Sequence, residues 1–283
     1  MDILYKIIGF IPLSLRLRVF YFIKFKRLLR LKHPLLYSEK IQKRKLNLLP
    51  IYSDLSDKSF VKSYISNEIG SNHVIPSITT VDTIDDLNFD LLPNKFVIKT
   101  NFGSGYNHIE IVRDKKNIDK VRIITKFKKA MKEKYKGSLL GETQYDSIPK
   151  KILVEEFMDN DGNDIDDFKF HIFNSQKGFL QIDFDRFSNH KRNLYDLNFN
   201  LLNYNLCYKG GNYNLPPMHK LEEMKDIAIK LSHGFDYVRV DLYLINDQIF
   251  FGEMTFTPGS GFEKFTPSIA DEIYGEMWNQ DKY

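Results

Sequence analysis

The sequence predicts an α+β protein built on antiparallel strands, and three observations carry that expectation. Val238 to Gly261, VRVDLYLINDQIFFGEMTFTPGSG, is two apolar-rich runs around the polar break Asn246-Asp247-Gln248, the pattern of a β-hairpin. Phe168 to Phe173 and Phe179 to Asp185 alternate in period two, as strands do in a sheet with one buried face. Asp57 to Ile69 has an acidic start, helically spaced apolar residues and a stop at Gly70, and so reads as a helix. With 283 residues, 23 of them Phe and 16 Tyr, the chain can bury one sizeable core or two modest lobes with a cleft between them.

The first segment is basic. Residues 1 to 50 carry twelve Lys and Arg against Asp2 and Glu39, a balance of +10 in a chain whose net charge is +4. Ile11 to Leu31 is apolar but regularly interrupted by Arg16, Arg18, Lys24, Lys26, Arg27 and Arg30, which predicts a basic amphipathic helix. Such a helix packs its apolar side on the body, the reading favoured here, or makes peripheral contact with an anionic membrane. No nucleic-acid motif accompanies the charge, so no nucleic-acid partner is expected. No apolar run is long enough to span a bilayer and no signal-peptide pattern is present, so a cytoplasmic protein is expected. The single cysteine, Cys207, excludes an internal disulfide and fits a reducing compartment.

After the helix at Asp57 to Ile69, VIPSI reads as extended, and Asp82 to Leu92 as loop with a short helix. Lys95 to Gly105, KFVIKTNFGSG, delivers Lys99 on a β-prone run and continues into Asn101, Gly103, Ser104 and Gly105. Glycines let backbone N–H groups approach an anion and a strand-borne lysine adds a point charge, although an ordinary glycine-rich turn has the same look. It is not a Walker A loop, because the lysine precedes the glycines. Val121 to Tyr135 reads as an exposed lysine-rich helix, and Ile152 to Met158 as a strand that leaves the core at Glu155 and Glu156. Asp159 to Asp167 is an acidic connection.

In the alternating strands Phe168, Phe170 and Ile172 face one side, and Lys169, His171 and Phe173 the other. Likewise Ile182 and Phe184 oppose Gln181, Asp183 and Asp185. His171, with no second His at ligand spacing, suits a hydrogen-bond or anion contact better than a metal. Arg186 to Asp196 reads as a cationic loop holding Arg186, His190, Lys191 and Arg192. Leu221 to Leu231 is an amphipathic helix, and the stretch Phe262 to Trp278 ends in another.

For the hairpin, a three-residue loop, Asn246 to Gln248, is expected. It pairs Ile245 with Ile249, Asp241 with Glu253 and Arg239 with Thr255, and brings the last four to one face. A two-residue loop would slip the register and send the carboxylates to opposite faces. Opposed carboxylates repel unless a cation lies between them. Either a hard ion such as Mg²⁺ sits there on oxygen ligands, or one carboxylate pairs with Arg239 and the other is solvated.

Seven stretches in succession, DKSFVKSYI, FVIKTNFGSG, LVEEFM, DFKFHIFN, QIDFDRFSNHKRNLYD, FDYVRVDLY and FGEMTFTPGSGF, resemble the ATP-grasp superfamily over roughly residues 35 to 275. More narrowly they resemble its TupA-like branch, named for teichuronopeptide synthesis. The resemblance implies an ATP-grasp fold, in which two α+β lobes clamp ATP between antiparallel sheets. Residues 1 to 75 would be a basic helical region, 76 to 157 the smaller lobe with the glycine loop, and 158 to 283 the larger lobe with the Mg²⁺ site. It implies that Lys99 and Lys169 contact ATP phosphates under a cover of Gly103, Ser104 and Gly105, and that Glu155, Glu156, Phe157 and Met158 hold adenine. Asp241 and Glu253 would hold Mg²⁺. Thr255 stands where the superfamily has an Asn, and a hydroxyl is the weaker ligand, so a water would intervene. Arg239 would face the transferred phosphate beside Lys169 and Arg186, and Arg186, His190 and Arg192 would receive the acceptor.

The activity implied is an ATP-dependent amide ligase that forms an acyl phosphate. It would join an amino acid or other amine to a uronic acid of a cell-surface polysaccharide such as a capsule, or to its precursor. A lipid-linked acceptor would suit a basic segment at the inner face of the membrane. A sugar kinase would show the same ATP machinery. A glycosyltransferase also uses paired acids to hold a metal, but here the two acids lie twelve residues apart across a hairpin. A non-catalytic nucleotide-binding module would need fewer charges.

Overall fold

The computed structural model describes residues 8 to 280 apart from 161, 163, 164 and 187. The parts of the acidic connection, the cationic loop and the N-terminal segment that fall on 161, 163, 164, 187 and 1 to 7 lie outside the described residues.

The basic segment forms α1 (Leu13–Phe25). Leu17 and Tyr21 are fully buried and pack with Leu29, Leu13, Phe25, Leu31 and Phe262, so the helix does pack on the body. A second apolar side, Leu15, Val19, Phe22 and Ile23, stays about half exposed. No helix among the described residues is long and apolar enough to cross a membrane. Three further helices follow, α2 (Tyr37–Arg44), α3 (Pro50–Ser56) and α4 (Phe60–Ile69).

Four strands, β1 (Ser77–Val81), β2 (Phe96–Thr100), β3 (Ile109–Val112) and β4 (Ile152–Glu156), form an antiparallel sheet in the order β1-β4-β2-β3. Its apolar face, Phe96, Ile98, Ile152 and Val154, is covered by Ile123 and Phe127 of α5 (Lys120–Lys132). β4 ends at Glu156, two residues short of the Met158 expected.

The second antiparallel sheet joins β5 (Asp167–Phe173), β6 (Lys177–Phe184), β7 (Lys191–Asp196), β9 (Tyr237–Ile245) and β10 (Gln248–Thr255) in the order β10-β9-β5-β6-β7. Two short strands, β8 (Asn205–Leu206) and β11 (Phe265–Thr266), pair with each other. β7 corrects the expectation of a loop from Arg186 to Asp196: Lys191 onward is strand, paired with β6. One face of the five-stranded sheet, including Phe168, Phe170, Ile172, Leu180 and Ile182, packs on Leu221, Met224, Ala228 and Leu231 of α6 (Met218–Leu231) and on α3 and α4. At one end of the opposite face, Phe173, Phe179 and Tyr237 meet α2 and α7 (Ile269–Met277) in an aromatic cluster with Tyr37, Tyr274 and Trp278. Beyond that cluster the face carries Lys169, His171, Gln181, Asp183, Arg239 and Asp241, and ends at Tyr243 and Ile245.

The hairpin has a two-residue turn, which corrects the expected loop of three. Asn246 and Asp247 take positive φ of 48° and 66°, the conformation that two-residue hairpins favour, and Gln248 pairs with Ile245. Gly252 then bulges, and the register recovers so that Glu253 still lies opposite Asp241 and Thr255 opposite Arg239.

Candidate functional site

Strand pairing sets the polar face out in two rows. Lys169 pairs with Gln181 on one side and Asp241 on the other, and Asp241 with Glu253; His171 pairs with Arg239, and Arg239 with Thr255. Arg239 makes the main bridge: Nε reaches Asp241 Oδ1 at 2.6 Å, and Nη2 reaches Asp241 Oδ2 and Glu253 Oε1 at 2.7 Å each. Lys169 Nζ donates to Asp241 Oδ2 at 2.8 Å and lies 3.3 Å from Asp167. Burial alone would raise the Asp241 carboxyl, but Arg239 and Lys169 outweigh it and hold the group far below the usual carboxylate range. Burial would lower Lys169, and Asp241 and Asp167 reverse that and raise it. His171 is fully buried, with Nδ1 2.8 Å from the Tyr237 hydroxyl and Nε2 3.2 Å from Gln181 Oε1. Desolvation, then Arg239, hold it well below 6.5, so it is a neutral hydrogen-bonding residue.

Two cavities flank this cluster. One, of about 220 Å³, is lined by Val97, Lys99, Ile111, Arg113, Tyr243 and the stretch Glu155 to Asn160. Its charged wall is Glu155, whose carboxylate takes Lys99 at 2.6 Å and Lys62 at 2.5 Å. Burial pushes Glu155 up, yet the two lysines bring it below its ordinary value. The other cavity, of about 320 Å³, is lined by Lys58, Phe102, Gly103, Ser104, Tyr135, Glu142, Tyr145, Arg239, Glu253, Thr255, Thr257 and Ser260. Tyr135 and Tyr145 stack at 4.0 Å between ring centroids. Lys58 Nζ donates to Gly103 O at 2.9 Å, and burial lowers its pKa. Along one face of β9, Arg239 lines the polar cavity, Tyr243 the other, and Asp241 lies between them.

Lys99, Glu155, Glu156, Phe157, Met158 and Arg186 thus meet around the first cavity. Gly103, Ser104, Arg239, Glu253 and Thr255 meet around the second, while Gly105 lines a separate hollow with Ser104 and His108. His190 and Arg192 line neither. Arg192 is buried on β7, with Nε 2.5 Å from Asp183 Oδ1 and Nη1 2.8 Å from Glu263 Oε1, and the His190 ring lies tilted against Tyr208 with centroids 3.9 Å apart. Arg186 pairs with Asp167.

Among the described residues no group of three or more His, Cys, Asp or Glu could hold a metal. Asp241 and Glu253 are a convergent pair, with Glu253 41% exposed toward the polar cavity. Mg²⁺ is commonly held by one or two carboxylates, with waters and substrate phosphates completing its shell, so this oxygen-only pair fits that ion.

Sequence reasoning passed over Lys58, Lys62, Tyr135 and Tyr145. A signal for the lysines existed. Lysines at the start of a helix face the positive end of its dipole and call for an anionic partner. Lys62 lies in the first turn of α4 and Lys58 just before it. The tyrosines meet only through the turns after α5, and no local pattern marks them.

No curated protein matches the chain by sequence. Among solved structures it is similar to D-alanine–D-alanine ligase from Bacillus anthracis, at 16% identity and TM-score 0.42, over 74% of this chain and 59% of that one. It is also similar to an L-amino acid ligase from Bacillus licheniformis, at 17% identity and TM-score 0.45, over 79% and 49%. A third is N5-carboxyaminoimidazole synthetase from Staphylococcus aureus, at 15% identity and TM-score 0.40, over 72% and 44%. The chain therefore spans less than two thirds of each of these enzymes. The family model TupA-like ATPgrasp matches residues 39 to 279, nearly the whole chain, with an α+β fold of antiparallel sheets behind a helical N-terminal segment. The chain belongs to the TupA-like ATP-grasp family.

Proposed function

We propose that the protein is an ATP-dependent carboxylate–amine ligase that works through an acyl phosphate. The observation that carries this reading is β9, which runs from the polar cavity at Arg239 to the apolar one at Tyr243 with the Asp241–Glu253 pair between them. A nucleotide on one side and an acceptor on the other would meet at that pair.

In this reading adenine lies against the Glu155 to Met158 backbone, Lys99 and Lys169 meet the phosphates, Arg186 borders the nucleotide, and Gly103 to Gly105 cover it. Residues 76 to 157 act as the closing lobe and 158 to 283 as the lobe with the metal site, with 1 to 75 ahead of them. Asp241 and Glu253 hold Mg²⁺, with Thr255 acting through a water; the ion, when bound, neutralises phosphate charge. Arg239 faces the transferred phosphate. A carboxylate attacking a phosphate brings two anions together, so cations that line up both reactants lower the barrier. An amine then displaces phosphate from the acyl phosphate, and a closed cavity protects that intermediate from water.

The acceptor belongs in the polar cavity rather than beside His190 and Arg192, which line neither cavity, Arg192 being held by Asp183 and Glu263. Lys58 and Arg239 suit a carboxylate, and the stacked Tyr135 and Tyr145 suit the C–H face of a sugar ring. That combination supports a uronic acid of a capsule-like polysaccharide or its precursor. The half-exposed apolar side of α1, next to exposed Arg18, Lys24 and Lys26, supports peripheral contact of residues 11 to 31 with the inner face of a membrane, where a lipid-linked acceptor would be in reach.

The test is nucleotide product analysis with Mg-ATP, a panel of uronic acids and pooled amino acids, with Asp241→Asn and Glu253→Gln as controls. ADP and phosphate that require both acid and amine, and vanish in the controls, are expected. A phosphorylated sugar formed without an amine would mean a kinase.

A further inference from the structure

Beside the polar cavity the backbone takes an unusual path. Gly259, Ser260 and Gly261 follow one another with φ of 52°, 52° and 66°. A serine held in the left-handed region between two such glycines is a strained choice, and strain of this kind concentrates at functional sites. Its effect is to turn Ser260, which lines the cavity with Arg239 and Glu253, back onto a lysine from the N-terminal region. Lys45 Nζ is 2.7 Å from Ser260 Oγ, 2.6 Å from Ser260 O and 3.1 Å from Gln42 Oε1, all neutral oxygens. Lys45 is only 2% exposed.

The hydrogen-bond count suits an uncharged amine as well as a charged one. As –NH₂, Lys45 donates to Ser260 O and Gln42 Oε1 and accepts from Ser260 Oγ–H. The serine proton then points inward and the Oγ lone pairs face the cavity. Burial drives the same way, bringing Lys45 to about 7. Of the charged groups on the elements packed around it, Glu142 opposes this, while Arg16 of α1 is engaged with Leu139 O. The Phe262 ring, 4.9 Å from Nζ, closes the remaining side.

We propose that Ser260 and Lys45 form a proton relay that deprotonates the incoming amine, an inference that rests on the ligase reading. The ammonium of the acceptor gives one proton to Ser260 Oγ as the Ser260 proton passes to Lys45 Nζ. The freed nitrogen lone pair forms the C–N bond while the C–O bond to phosphate breaks. Phosphate leaves with that electron pair and takes up the second nitrogen proton. Lys45 returns its proton to solvent when the cavity opens.

Hydroxylamine separates this role from a structural one, because it is uncharged at pH 7.5 and needs no base. Lys45→Arg, Lys45→Met and Ser260→Ala should lose about 100-fold or more in ADP formation with amino-acid acceptors, the usual scale of general-base catalysis. With hydroxylamine they should stay within about threefold of the native rate, which also reports intact folding. Equal losses with both acceptors would overturn the relay. In parallel, NMR of ε-¹³C-lysine-labelled protein should contain one lysine titrating near neutrality, absent in Lys45→Arg and shifted in Ser260→Ala. Hydroxamate formation without such a lysine overturns the relay alone. Absence of hydroxamate from the native protein with every acid of the panel overturns the ligase reading, and the relay with it.

Discussion

Glu253 lies opposite Asp241 although the turn between their strands is one residue shorter than that pairing requires. The missing residue is supplied by Gly252, the bulge between Phe251 and Glu253. A side chain there would meet the Tyr243 ring at 3.0 Å and Asp241 O at 3.1 Å. Deleting Gly252 should therefore remove the bulge, join Phe251 directly to Glu253 and leave Glu253 opposite Asp241, so Mg²⁺-dependent nucleotide binding should persist. Gly252→Val should weaken that binding and lower the melting temperature. Calorimetry with Mg-ATP checks both, and loss of binding by the deletion would refute the account.

Arg239 occupies the place between the two carboxylates that a cation must fill. Arg239→Met leaves Asp241 and Glu253 facing each other, and breaking a buried ion pair costs about 3–5 kcal/mol. The variant should lose that much stability in chelator, and recover part of it in millimolar Mg²⁺. Denaturation with and without Mg²⁺ decides; an unchanged deficit would count against this carboxylate pair as a metal site.

Stability should fall in two steps on acidification. His171 is held below its ordinary 6.5, so below that pH the unfolded chain takes up a proton that the fold refuses, and stability starts to drop. Glu155 is held below 4.5 by Lys99 and Lys62; its contribution is complete above 4.5 and disappears as pH falls toward the lower folded value. His171→Gln should flatten the first limb and Glu155→Gln the second in urea denaturation measured from pH 7.5 down to about pH 2.5. Limbs unchanged in the variants would mean that other groups carry the acid dependence.

The outward side of α1 makes a separate prediction. Phe22→Glu with Ile23→Glu, both at half-exposed positions, should abolish sedimentation with phosphatidylglycerol vesicles and leave the fold intact by circular dichroism. Failure of the native protein to sediment with anionic vesicles removes the membrane contact.

The strands were legible where one face is apolar throughout, as in Phe168, Phe170 and Ile172, because period two needs only local residues. The Asp241–Glu253 pairing was also legible, but for a reason that did not hold: the turn is shorter and the bulge restores the register. β7 was hidden because Arg192 looks like a surface charge until Asp183 and Glu263, remote in sequence, neutralise it. α2 was hidden for a related reason. It buries Glu39, Gln42 and Arg44, with Arg44 Nη1 on Tyr237 O and Phe256 O at 2.9 Å and its guanidinium 4.5 Å from the Trp278 ring. An eight-residue helix with only Tyr37 and Ile41 as buried apolar side chains carries too short a stripe to mark itself by periodicity. The polar cavity, drawn from five separate segments, has no local signature.

The guanidinium bridge between Asp241 and Glu253 also bears on how the protein would meet divalent ions in a cell. Carboxylates whose charge is already balanced from within have little appetite for a bare ion, so the resting protein would neither scavenge stray zinc nor need a metal to reach its shape. The ion would come aboard as luggage of the nucleotide, and the supply of the magnesium–nucleotide complex, not of free magnesium, would set when the site is loaded.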